Sequence, residues 1–210
     1  MTSAHDDLER QLAAGNSDDL DAAAAEVARR FAERAASEGA AVVAYTTLDT
    51  PVGAARIAAT SRGLISVGLP NVPLDEFLAQ LADRISPRIV EAPATLDTAR
   101  RELDEYFAGD REAFDLPLDW RLVPGGFYRK VLRATARLPF GITATYGEIA
   151  AKAGNARAHR AAGTALGSNP LPIVVPCHRI IRSGGDPGNY GGGPELKRWL
   201  LTLEGSLRET

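Results

Sequence analysis

Apolar residues recur every three or four positions over residues 18–38, where Leu20, Ala24, Val27, Phe31 and Ala35 form one stripe. That spacing predicts a helix. Ser17 suits its N-cap, Asp18, Asp19 and Asp21 suit the positive end of the dipole, and Arg29, Arg30 and Arg34 the negative end, before Gly39. The pattern then shortens. Residues 42–47, 54–59 and 64–69 are β-prone runs divided by turn signals at Thr50-Pro51-Val52-Gly53 and Ser61-Arg62-Gly63, which predicts an antiparallel meander. Helical spacing returns over 74–84 (Leu74, Phe77, Leu78, Leu81) and 95–108 (Leu96, Ala99, Leu103, Tyr106), with a short strand at 88–92 between them. After Pro124-Gly125-Gly126, Phe127 to Leu138 reads as a helix with Val131, Ala134 and Leu138 on one side.

Further on, Thr145 and Glu148 stand three residues apart, as in a capping box. They predict a short helix Tyr146–Ala153 ending at Gly154, and Asn155 then caps a second helix from Ala156 to Leu166. Two short helices joined by such a turn match a DNA-binding helix-turn-helix, although a hairpin in a plain bundle leaves the same trace. The second helix offers small residues, Ala161 and Gly163 among them, for close approach, with Arg157 and Arg160 to reach phosphate or groove. It lacks the Asn, Gln or other long polar side chains that read base edges. Its binding should therefore be largely blind to sequence.

Charge sharpens this picture. Residues 1–120 carry 11 Lys/Arg against 22 Asp/Glu, a net −11, whereas residues 121–210 carry 13 against 5, a net +8. A basic half suits a polyanion, and a merely solvated basic face is the alternative. At 210 residues, 45% hydrophobic and 24% charged, the composition is that of a soluble globular chain with room for two small domains. No apolar run approaches the ~20 residues of a membrane span, and the acidic start is unlike a signal peptide. Three histidines and one cysteine do not make a typical structural zinc site, so neither a metal nor another cofactor is expected.

The one cysteine, Cys177, follows the apolar run Ile173-Val174-Val175 and sits in Pro176-Cys177-His178-Arg179. A chain with one thiol forms no internal disulfide, which suits a reducing cytoplasm and leaves the sulfur as either core filler or a reactive centre. His178 and Arg179 are two potential cations beside it. Both would favour the thiolate and hold its pKa below the free value of ~8.5.

With these pieces in view, the chain resembles the O6-alkylguanine-DNA alkyltransferases. The resemblance rests on Thr143-Ala-Thr-Tyr-Gly-Glu148, Arg160-Ala-Ala-Gly163, Asn169-Pro-Leu-Pro-Ile-Val-Val-Pro-Cys-His-Arg179, Gly188-Asn-Tyr-Gly-Gly-Gly193 and Lys197-Arg-Trp-Leu-Leu-Thr-Leu-Glu-Gly205. It covers about residues 127–205, with the acidic half matching only loosely. It implies an α+β fold: an N-terminal extension over 1–38, a small domain over 39–120 with an antiparallel, ribonuclease H-like sheet, and a mostly helical winged-helix domain over 121–210 that carries the cysteine. It also implies a monomer that binds duplex DNA containing O6-alkylguanine, flips the damaged base and takes the alkyl group onto Cys177 in one irreversible step.

Residue by residue, the resemblance makes His178 the activator of Cys177 through a bridging water, with Glu204 orienting it. Tyr146 would help to rotate the nucleotide and donate a hydrogen bond to the departing guanine, and Arg160 would fill the gap left in the stack. Asn169 would be a hinge between the recognition helix and the active-site loop. Tyr190 would wall off the base, the backbone N–H of Gly191 would meet O6, and the carbonyls of Cys177 and Ile180 would face the guanine amino group. Three rivals share some of these features: a non-catalytic relative that lacks the cysteine, a Cys-His hydrolase, and a simple DNA-binding regulator.

Overall fold

A computed structural model describes residues 22, 25–35, 38, 40 and 42–207. Helix α1 occupies 25–35; Ser17, Asp18, Asp19, Leu20, Asp21, Ala24 and Gly39 lie outside the described residues. Glu33 seats α1 by accepting from the Ala94 backbone N–H at 3.0 Å and the Thr95 hydroxyl at 3.1 Å. The expected apolar stripe does not face the core, because Val27 is 68% and Phe31 73% exposed. Polar contacts, not burial, orient this helix.

Strands β1 (Val43–Thr50), β2 (Gly53–Thr60) and β3 (Gly63–Gly68) form the meander read from the turn signals, with Tyr45 opposite Ala58 and Ile57 opposite Val67. After α2 (Leu74–Arg84), strand β4 (Ile89–Glu91) pairs with β1 in parallel, giving the order β3-β2-β1-β4. The sheet is therefore not wholly antiparallel. A helix lies between β3 and β4, and such a crossover returns the chain in its original direction. Period-two alternation divides the strands between two cores. Val43, Ala58 and Ile65 pack with Phe77 and Leu81 of α2, whereas Ala44, Ile57 and Leu64 face the rest of the molecule.

That second core is continuous. It runs from the sheet through Leu103, Tyr106 and Phe107 of α3 (Asp97–Ala108) into Val131, Ile149, Ala162, Ile173 and Leu200. The C-terminal domain is built from α4 (Phe127–Thr135), β5 (Ala144–Thr145), α5 (Tyr146–Lys152), α6 (His159–Gly167), β6 (Ile180–Ile181) and α7 (Pro194–Leu203). Helix α4 stops three residues short of Leu138. The capping box at Thr145 and Glu148 is present, but α6 begins at His159 with Ala158 before it. Asn155 Oδ1 accepts from the Arg157 N–H at 3.2 Å. Asn155 thus closes a turn instead of capping the helix, which leaves Arg157 in that turn. None of the helices among the described residues is long and apolar enough to cross a membrane.

Candidate active site

Cys177 opens a single 3-10 turn, Cys177–Arg179, at the end of a loop from α6. Backbone hydrogen bonds wind that loop tightly. The Val174 N–H donates to the Pro172 carbonyl at 3.0 Å and the Val175 N–H to Leu171 at 2.7 Å. The first closes a three-residue turn around Ile173, whose φ of 74° makes it the one non-glycine residue with positive φ among the described residues. A β-branched side chain there costs about 1–3 kcal/mol and persists only where its surroundings fix it. Ile173 is buried. Two braces hold the loop: the Val67 N–H of β3 donates to the Pro170 carbonyl at 2.8 Å, and Asn169 Nδ2 donates to the Val175 carbonyl at 2.8 Å and to Cys177 Sγ at 3.1 Å.

Behind the thiol lies a buried charge network. His178 Nε2 is 2.8 Å from Glu204 Oε1. Arg179 grips the same carboxylate through Nε to Oε2 at 2.8 Å and Nη2 to Oε1 at 2.9 Å. The Tyr106 hydroxyl donates to Oε1 at 2.6 Å. Burial alone would raise the Glu204 pKa, but the hydrogen bonds from His178 and Arg179 prevail and hold it at about 2. An ionised carboxylate only accepts, so this network assigns the proton of neutral His178 to Nε2 and leaves Nδ1 with a basic lone pair. Burial keeps His178 below its ordinary pKa against the pull of Glu204. Nδ1 itself is buried and has no hydrogen-bond partner among the described residues.

This arrangement corrects the expectation of two cations beside the thiol. Arg179 is committed to Glu204, and His178 is neutral at rest. Burial pushes the Cys177 thiol up, outweighing the opposing effects of the Asn169 hydrogen bond and the Lys197 charge. The resting sulfur is therefore a protonated thiol near neutral pH.

Lys197 is a buried member of this neighbourhood that sequence reasoning passed over. Lys197, Leu200 and Leu201 of α7 and Glu204 at its C-terminal cap are all buried, at the i, i+3, i+4, i+7 spacing of one helix face. That spacing was the available signal. Lys197 Nζ donates to the Ile180 carbonyl at 2.5 Å and reaches the Asn189 carbonyl at 3.5 Å. Burial lowers its pKa to about 8. The Ile180 carbonyl, expected to face guanine, thus already accepts from lysine, with its second lone pair as the remaining acceptor. The Cys177 carbonyl likewise accepts from the Ile180 N–H.

Tyr190 meets the His178 ring edge-on at 6.3 Å between centroids, and its hydroxyl is buried without a hydrogen-bond partner among the described residues. Beside it, the Gly191 carbonyl accepts from Asn71 Nδ2 at 2.9 Å. The N-terminal domain therefore braces the loop of Tyr190 and Gly191 as well as that of Cys177. Parallel pairing of Ala144 with Ile180 brings the start of α5 alongside this centre. Tyr146 is half-buried, and burial raises its pKa against the opposing charge of Arg182. A Cβ built on Gly163 of α6 would lie 3.8 Å from the Tyr146 ring, an ordinary van der Waals contact. Ala162, Ala165 and Leu166 bury the inner face of α6, while Arg157, His159 and Arg160 are exposed and Ala161 is half-buried. A cleft of about 670 Å³ between β2, β3 and α3 contains none of these residues.

Comparison with known proteins matches this architecture. The family model "6-O-methylguanine DNA methyltransferase, ribonuclease-like domain" matches residues 43–120, and "6-O-methylguanine DNA methyltransferase, DNA binding domain" matches 126–206. A methylated-DNA–protein-cysteine methyltransferase of Mycolicibacterium paratuberculosis is 37% identical over 163 residues, covering 78% of this chain and 93% of that protein. The crystal structure of Mycobacterium tuberculosis O6-methylguanine methyltransferase superposes with a TM-score of 0.68 at 36% identity, over 78% of this chain and 93% of that one. The complex of that organism's protein with DNA gives 0.67 at 36% identity, with the same coverage. With both halves matched in order, the chain belongs to the 6-O-methylguanine DNA methyltransferase family, DNA-binding repair proteins that transfer an alkyl group from DNA to a protein cysteine.

Proposed function

We propose that the protein repairs O6-alkylguanine in duplex DNA by a single irreversible transfer of the alkyl group to Cys177. The observation that carries this reading is the only cysteine followed directly by a neutral histidine whose Nε2 faces Glu204 and whose Nδ1 is buried with no hydrogen-bond partner among the described residues. The thiol proton passes through a water to Nδ1, and Glu204 stabilises the imidazolium that forms. The sulfur attacks the alkyl carbon in line. A carbon–sulfur bond forms, the carbon–O6 bond breaks, and its electron pair stays on the guanine, which takes a proton from Tyr146. The thioether is stable, so each molecule acts once.

The exposed face of α6 supplies the DNA contact. Arg157 meets phosphate, Ala161 and Gly163 allow close approach, and Arg160 enters the stack behind the flipped nucleotide. In the pocket, Tyr190 walls the base, the Gly191 N–H meets O6, and the Cys177 and Ile180 carbonyls face the amino group. Asn169 ties this pocket to α6. The same reading takes the chain as a cytoplasmic monomer with an extension over 1–38 and domains over 39–120 and 121–210. The decisive test is incubation with a duplex carrying one labelled O6-methylguanine, followed by mass analysis. One methyl group on Cys177 is expected, and a methyl group elsewhere or none would overturn the proposal.

A further inference from the structure

We infer that Tyr106 of the N-terminal domain is a positioning residue for alkyl transfer, setting through Glu204 how strongly His178 holds a proton. The inference rests on the Cys177–His178–Glu204 relay proposed above. Tyr106 lies on α3, fully buried, with the rings of Phe107, Phe114 and Phe140 at 5.5, 5.3 and 6.1 Å. Its hydroxyl donates to Glu204 Oε1, the oxygen that also faces His178 Nε2 and Arg179 Nη2.

Three donors on one oxygen compete for the same electron density. The Tyr106 hydroxyl weakens what Oε1 offers to the His178 N–H, and so lowers the affinity of Nδ1 for a proton. Arg179 keeps Glu204 in place whether or not Tyr106 donates, and the Gly141 N–H adds a long contact to Oε2 at 3.4 Å. Removing the phenol oxygen therefore alters the charge on Oε1 without releasing the carboxylate. The other titratable groups around this network are Tyr190, Lys197 and Cys177. Burial and the Glu204 charge push the Tyr106 phenol well up, so it remains a donor at every pH at which the relay works. A buried tyrosine also simply needs an acceptor. What separates the two roles is the chosen acceptor: among the described residues, this is the one side-chain hydrogen bond from the N-terminal domain to the relay.

The test is Tyr106→Phe, which deletes one oxygen and retains the aromatic packing. Methyl transfer from an O6-methylguanine duplex is followed from about pH 5 to about pH 9 for the natural protein, Tyr106→Phe and His178→Ala. The His178 titration is read separately by ¹⁵N NMR. In Tyr106→Phe, the acidic limb of the rate profile and the His178 titration should both move up by about half a pH unit, with affinity for undamaged duplex unchanged. If neither moves, even where the rate falls, Tyr106 only packs and the inference is overturned. A His178→Ala profile identical to that of the natural protein would remove the relay itself, and the inference with it. A changed His178→Ala profile beside an unmoved Tyr106→Phe profile would remove Tyr106 alone.

Discussion

Arg179 holds Glu204 in a two-point grip, Nε to Oε2 at 2.8 Å and Nη2 to Oε1 at 2.9 Å, with both side chains buried. This pair explains why the arginine two residues after the cysteine does not activate it directly. Its charge fixes the carboxylate that meets His178 Nε2, and the proposed relay assigns activation to the imidazole.

Breaking that grip should cost both stability and rate. Glu204→Gln leaves the Arg179 charge buried without a counter-charge, which destabilises by about 3–5 kcal/mol. Thermal unfolding should show a clear drop in Tm, larger than for His178→Ala. Equal Tm values for Glu204→Gln and the natural protein would contradict a structural role for the pair.

Acid should act through the same residues. The folded Glu204 pKa of about 2 lies below that of an unfolded carboxyl, so the unfolded chain binds the proton first. The stabilisation is fully present above about pH 4.5 and is lost as pH falls towards 2. His178, also depressed in the fold, adds a loss that starts as pH drops through about 6.5. Denaturant midpoints measured against pH should therefore decline across both windows, and Glu204→Gln should flatten the lower one.

Burial holds the Cys177 pKa up, so under the proposed relay thiol activation depends on the histidine. His178→Ala should slow alkyl transfer near neutral pH, with part of the rate returning as alkaline pH ionises the unassisted thiol. Binding of undamaged duplex should be unaffected, since His178 is not on the helix-turn-helix. A flat pH–rate profile with full activity near neutrality would exclude the relay.

Stoichiometry separates consumption from turnover. Transfer should stop at about one equivalent, the mark of a suicide acceptor, and Cys177→Ser should abolish it. Repeated turnover on excess lesion DNA would exclude a thioether end product.

Arg160 and the chemistry should come apart. Arg160→Ala removes the wedge that offsets an unstacking cost of roughly a few kcal/mol, so repair of duplex should slow sharply. Reaction with free O6-benzylguanine, which needs no flipping, should fall far less. Binding of undamaged duplex should weaken steeply with salt, as counterion release requires, and vary little with base composition. Equal losses on both substrates would assign Arg160 to folding.

Features that depend on contacts within a few residues were legible in the chain itself. The capping box of Thr145 and Glu148, the hairpin turn from Thr50 to Gly53 and the amphipathic α2 are all of this kind. The Cys177-His178-Arg179 core and its flanking motifs were enough for the family. The start of α6 differs from the sequence expectation because an Asn a few residues before a helix caps it or closes a turn with the same oxygen. The parallel β4 and the outward stripe of α1 depended on where distant segments dock. The state of the site was least legible of all. Glu204 meets Tyr106 across 98 positions and Arg179 across 25, and the protonation of Cys177 follows from how much protein covers it. Proximity in the chain placed two cations beside the thiol, and folding turned one towards Glu204 and neutralised the other, because desolvation and pairing are properties of packed neighbours and not of sequence neighbours.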